Sequence, residues 1–120
     1  MNKKYLVLIA VVLLCVILAT FVACNYEKKY AEKLQDLGYT VTVRRSKEYN
    51  PGYKGGYYNI TARKYGYMVY IKIYDYVDDA ESAYNSLVSE KENNKELELI
   101  YREGKAVIYG HEEAVNDARS

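Results

Sequence analysis

The hydrophobic and polar positions divide the chain into one long apolar run and a series of short segments with changing period. Tyr5 to Ala23 is 19 residues without a charge. Tyr26, Tyr30, Leu34 and Leu37 then recur at spacings of four, four and three, which predicts an amphipathic helix over about 26–37 with Gly38 as its left-handed stop. Residues 39–44 alternate apolar and polar with β-branched side chains, the pattern of a half-buried strand. Pro51-Gly52 and Gly55-Gly56 mark a loop over 46–56. Two strand-like runs, 57–63 and 67–74, flank Tyr65-Gly66 as a tight hairpin. A helix is expected to open at Asp78, with Glu81 as capping-box partner and Ala80, Ala83, Tyr84, Leu87 and Val88 as its buried stripe, and to end at Asn93-Asn94. Strands over 97–101 and 105–109 surround Glu103-Gly104, a second hairpin signal. Gly110 breaks the chain, and Glu112, Glu113, Ala114, Val115 and Ala118 predict a short last helix with acids in its first turn.

The order of elements is α-β-β-β-α-β-β-α. Tight hairpins imply a mainly antiparallel sheet of about five strands, and helices with a single apolar stripe imply that they cover one face of it. The expected fold class is therefore α+β: an N-terminal apolar signal or anchor helix over residues 1–23, then one small two-layer domain over 24–120.

The apolar run carries the most specific motif. Lys3 and Lys4 precede it, and it ends Ala19-Thr20-Phe21-Val22-Ala23-Cys24 before the polar stretch Asn25-Tyr26-Glu27-Lys28-Lys29. This resembles a bacterial lipoprotein signal peptide, with a basic start, an apolar centre and a lipobox whose small residue, Ala23, stands before the cysteine. Phe21 occupies the position where that family most often has Leu. The resemblance implies that Cys24 is alkylated with a diacylglyceryl group and becomes the new N-terminus after cleavage behind Ala23. It also implies a domain held at the outer side of a cell membrane. Read from the residues alone, the same run is long enough to span a bilayer as an uncleaved helix, since about 20 apolar residues suffice. Basic residues stand on both sides of it and leave orientation open. The segment from Gly104 to Gly110 with Glu112 to Val115 is similar to the ending of many small bacterial lipoproteins, a class that brings no activity with it.

Charge changes the picture little. Lys3 and Lys4 are the charged residues of the first 23, so the remainder carries 15 of the 17 basic side chains and all 16 acidic ones, a net of −1 with His111 neutral. A nucleic-acid partner is not expected, because phosphate binding requires surplus Lys and Arg. Cysteine usage excludes more. Cys15 and Cys24 are the two cysteines, so a disulfide framework, a thiolate nucleophile or a cysteine zinc site within residues 25–120 is ruled out.

Catalytic constellations are sparse. His111 is the one imidazole, and Val115 stands where a zincin helix needs its second His. Asp75, Asp78 and Asp79 lack a calcium-loop glycine pattern and are explained by the helix N-terminus beside them. No metal or other cofactor is implied, and the chain is not expected to be an enzyme.

Tyrosine is the anomaly: 16 residues, all but Tyr5 after the apolar run, with no Trp. In the run 67–74, Tyr67, Val69, Ile71 and Ile73 share one face, and Met68, Tyr70, Lys72 and Tyr74 share the other. Arg44, Asn59, Thr61 and Arg63 are expected on that same outer face. Tyrosine offers rigid amphipathic area and pairs with cations, so Tyr70, Lys72 and Tyr74 form one candidate binding surface. Tyr49 and Tyr53 in the Pro-Gly loop form a second. The expected function is a membrane-tethered lipoprotein whose domain binds a protein or an envelope glycan. The alternative is a single-pass membrane protein acting as an assembly or inhibitory subunit of a membrane complex.

Overall fold

The computed structural model describes residues 26–46 and 52–120, so Cys24 and Tyr49 lie outside the described residues. The element order is α1 (Tyr26–Asp36), β1 (Thr40–Ser46), β2 (Tyr57–Lys64), β3 (Tyr67–Tyr74), α2 (Val77–Glu90), a 3-10 turn (Lys91–Asn93), β4 (Leu99–Glu103), β5 (Ala106–Gly110) and α3 (Glu112–Arg119). The five strands form one antiparallel sheet in the order β1-β2-β3-β5-β4. Over the described residues this is the expected α+β class with its elements in the expected order; the apolar helix expected over 1–23 lies outside them.

Local chemistry accounts for the boundaries. Gly38, at φ +93°, closes α1: its N–H donates to the Gln35 carbonyl, and that of Tyr39 donates to the Leu34 carbonyl. This reciprocal pair satisfies carbonyls that the helix end would otherwise orphan, and it brings Tyr39 onto Leu34 in the core. Tyr65 and Gly66 both have positive φ, +50° and +85°, the backbone that a two-residue hairpin needs to match strand twist. The second hairpin lies one residue later than its sequence signal. Glu103 pairs with Ala106, so Gly104 and Lys105 form the turn. The capping box at α2 is not formed: Tyr76 is the N-cap and makes no side-chain cap bond.

The layer arrangement differs from the expectation of helices on one face. On one side of the sheet Ile60, Ala62, Val69, Ile71, Ala106 and Ile108 pack with Tyr30 and Leu34 of α1 and with Ala114, Val115 and Ala118 of α3. On the other side α2 lays Ala80 and Ala83 against Tyr74 and Val107, with Tyr57, Tyr84, Leu87 and Tyr109 packed around them. The physical reason is in β5, where Ala106, Val107 and Ile108 are all buried. An uninterrupted apolar strand needs cover on both sides. The first cluster holds Leu34, Ile60, Ile71, Ile108 and Val69 fully buried, and each such side chain contributes about 1.5–3 kcal/mol. Val88 is not part of the α2 stripe; it is exposed, as are Leu37 of the α1 stripe and Val43 of β1.

Candidate functional site

Helix α2 packs on β3, β4 and β5. Among the described residues, no helix covers the part of the second sheet face formed by β1, β2 and the start of β3. Strand register fixes what stands there. Arg44 faces Asn59, and Asn59 faces Lys72. In the neighbouring row Thr42 faces Thr61, Thr61 faces Tyr70, and Tyr70 faces Tyr109. Arg63 and Met68 form the next pair outward. The expected common face of Arg44, Asn59, Thr61, Arg63, Tyr70 and Lys72 is thus the face observed.

Lys72 is the centre of this surface. Its ammonium lies 5.3 Å from the Tyr57 ring centroid and 5.8 Å from that of Tyr109, within the range in which a ring face attracts a cation. No carboxylate among the described residues forms an ion pair with it. Burial raises the Tyr109 hydroxyl pKa, and the Lys72 charge opposes that rise. Tyr70 stacks on Tyr109 at 5.3 Å between centroids with an interplanar angle of 21°. The Asn59 Oδ1 on this face is buried and has no hydrogen-bond partner among the described residues.

Beside the tyrosine pair is a cavity of about 240 Å³, lined by Met68, Tyr70, Leu97 and Tyr109 with Asn94, Glu96 and His111 at its polar wall. His111 has a structural duty there. Its Nδ1 accepts the Met68 N–H at 2.9 Å, and its own N–H donates to the Met68 carbonyl at 2.9 Å. A larger depression of about 840 Å³ between α1 and Ser120 is lined by Lys28, Lys29, Lys33, Glu32 and Asp36. Its lining mixes both signs of charge.

The other expected candidates separate. Tyr74 lies outside any open surface: only 4% exposed, it packs against Tyr57 at 5.2 Å and Tyr53 at 6.0 Å. Burial pushes its hydroxyl pKa strongly upward. Its side chain shares a sheet face with Tyr70 and Lys72, but α2 covers that end of the face. Tyr53 is half-buried against the same cluster, and its hydroxyl pKa is also raised by burial. Tyr57 and Tyr109, which flank Lys72, were not singled out by the sequence. The signal for Tyr109 was its two-residue spacing from Val107, but the pairing of β5 with β3 across more than 30 residues is not written locally.

The three aspartates are engaged with the chain itself. Asp75 accepts both guanidinium nitrogens of Arg45, at 2.9 and 2.6 Å, and the Gly56 N–H at 3.2 Å. The Arg45 bond holds its carboxyl below the usual range. Asp78 pairs with the Lys54 ammonium. Asp79, 2% exposed, accepts the N–H groups of Lys54 and Gly55.

No family model matches this chain, and no curated protein or solved structure is significantly similar to it. Among the described residues no helix is long and apolar enough to cross a membrane.

Proposed function

We propose that this chain is a non-enzymatic, membrane-tethered lipoprotein whose domain binds a protein or an envelope glycan on the open part of the second sheet face. The observation that carries the reading is the charge of that face. Of the charged residues of β1, β2 and β3, Arg44, Arg63 and Lys72 stand on it, Arg45 and Lys64 stand on the opposite face, and none is acidic, although residues 24–120 as a whole carry a net −1. Arg45 is neutralised by Asp75, and Lys64 donates to the Leu37 carbonyl at 2.6 Å. Arg44, Arg63 and Lys72 remain without a carboxylate partner among the described residues. Cations without a carboxylate partner, one of them beside two tyrosine rings, are groups whose remaining interactions a ligand can supply.

The binding half of the reading is tested with full-length protein in detergent micelles and isolated cell-envelope fragments. Arg44→Glu combined with Lys72→Glu is expected to reduce cosedimentation with the fragments at least tenfold while the far-ultraviolet spectrum stays unchanged. Undiminished cosedimentation would move binding off this face.

The tether is tested at Cys24. Two acyl chains give stable membrane residence, because each buried CH₂ contributes about 0.8 kcal/mol and a single chain is marginal. Intact mass is expected to show cleavage and lipid addition in the wild type, and an unprocessed precursor for Cys24→Ser. A Cys24→Ser protein with wild-type mass and membrane attachment would favour the single-pass anchor, and with it the role of an assembly or inhibitory subunit.

A further inference from the structure

We infer that the ligand of this face is an acidic saccharide, with a sugar ring against Tyr70 and Tyr109 and its anionic group on Lys72; the inference rests on reading the open sheet face as the binding surface. Two features favour a sugar over an acidic peptide. The first is the pair of rings. Tyr70 and Tyr109 lie nearly parallel and half-buried, a rigid amphipathic platform of the kind that receives the C–H face of a pyranose while its hydroxyls point to polar neighbours. The second is the cavity of about 240 Å³ that continues from the tyrosine pair. It is of the order of one ring in size.

The polarity along the groove gives the ligand a direction. Lys72 and Tyr70 are two residues apart on β3 and on the same face, so their side chains leave the strand about 6.6 Å apart. Lys72 has a long flexible side chain, so its ammonium can reach the acidic group of a sugar seated at Tyr70. Glu96 also lines the cavity. It repels an anion there and accepts hydroxyls, which places the neutral edge of the ring inward and the acidic group outward at Lys72. Arg44, across Asn59 from Lys72, lies along the path of a further charged residue.

The test uses full-length protein in detergent and three soluble probes: an oligogalacturonate, the same oligomer as its methyl ester, and poly-L-glutamate. The wild type is expected to bind the oligogalacturonate at least tenfold more tightly than either other probe. Lys72→Gln should remove most of that advantage and leave the ester within about twofold. Tyr70→Ala should weaken both sugar probes, and Tyr70→Phe, which keeps the ring, should restore them; circular dichroism and the thermal midpoint verify that each variant is folded. If poly-L-glutamate binds as tightly as the oligogalacturonate and Tyr70→Ala changes neither, the saccharide inference is overturned in favour of an acidic protein ligand. If no probe binds while cosedimentation with envelope fragments still responds to the Arg44 and Lys72 reversal, the saccharide is wrong and the binding face stands. If neither experiment responds, both readings fall together.

Discussion

Gly110→Ala is expected to unfold the domain or to lower its stability by more than about 3 kcal/mol, a large share of the 5–15 kcal/mol typical of a domain. Gly110 ends β5 in the middle of the sheet, opposite Val69 on one side and Leu99 on the other. Its φ of +143° is one that L side chains rarely adopt, and an added Cβ would sit 2.3 Å from the Met68 carbonyl oxygen and 3.1 Å from the Val69 Cα. Neither obstacle is a flexible side-chain end, so the backbone itself would have to move. That backbone is fastened, because the same Met68 carbonyl accepts the His111 N–H and the Met68 N–H donates to His111 Nδ1. Gly104→Ala provides the comparison. Gly104 also has positive φ, +58°, but nothing stands within 4 Å of its missing Cβ, so its substitution should cost only about 1 kcal/mol. Urea unfolding of both variants measures the difference, and a Gly110→Ala midpoint equal to that of Gly104→Ala would show that the end of β5 is not locked onto β3.

The sequence made local structure legible and left non-local structure hidden, for identifiable reasons. Gly38, Tyr65-Gly66 and the alternation of β3 are short-range signals whose backbone demands do not depend on the rest of the chain. The side of the sheet that α2 covers is different in kind. Its stripe of Ala80, Ala83, Tyr84 and Leu87 says that it packs on something, and only the insertion of β5 between β3 and β4 decides which face. That choice also separated Tyr74 from Tyr70 and Lys72. Alternation correctly put all three on one face, but the cover over one end of that face comes from residues in another part of the chain. The candidate surface was half legible for the same reason: Arg44, Asn59, Thr61, Arg63 and Lys72 follow from hairpin register, whereas Tyr109 arrives through a pairing between distant strands. Net charge concealed the surface further. An overall value near zero averages an acid-free run of three strands with acidic residues concentrated elsewhere, as in the first turns of α2 and α3.

Asp79→Ala is expected to be the second most damaging substitution, by about 2–4 kcal/mol. Among the described residues Asp79 is the one charged side chain that is buried, and what keeps it there is its role as an anchor. Its two oxygens accept the Lys54 N–H at 2.9 and 3.1 Å and the Gly55 N–H at 3.0 Å, which ties the segment leading into β2 to the first turn of α2. Truncation leaves both N–H groups without their partner in a partly buried setting, the costly half of a broken hydrogen bond. Asp79→Asn keeps one acceptor oxygen and should fall between wild type and Ala. Asp78, one residue earlier, pairs with Lys54 in solvent, where ion pairs contribute little, so Asp78→Ala should leave the melting midpoint almost unchanged. The consequence reaches the candidate site, because the anchored segment carries Tyr53 and leads directly to Tyr57, which packs on Tyr74 at 5.2 Å and faces the Lys72 ammonium. Loosening it should therefore weaken envelope binding at temperatures where the domain is still folded. Hydrogen exchange at Lys54 and Gly55 separates this local release from global unfolding: exchange in Asp79→Ala is expected to accelerate at those two amides more than at Ile71 or Ile108, and uniform acceleration across all four would show that Asp79 acts on the whole domain and not through the segment it holds.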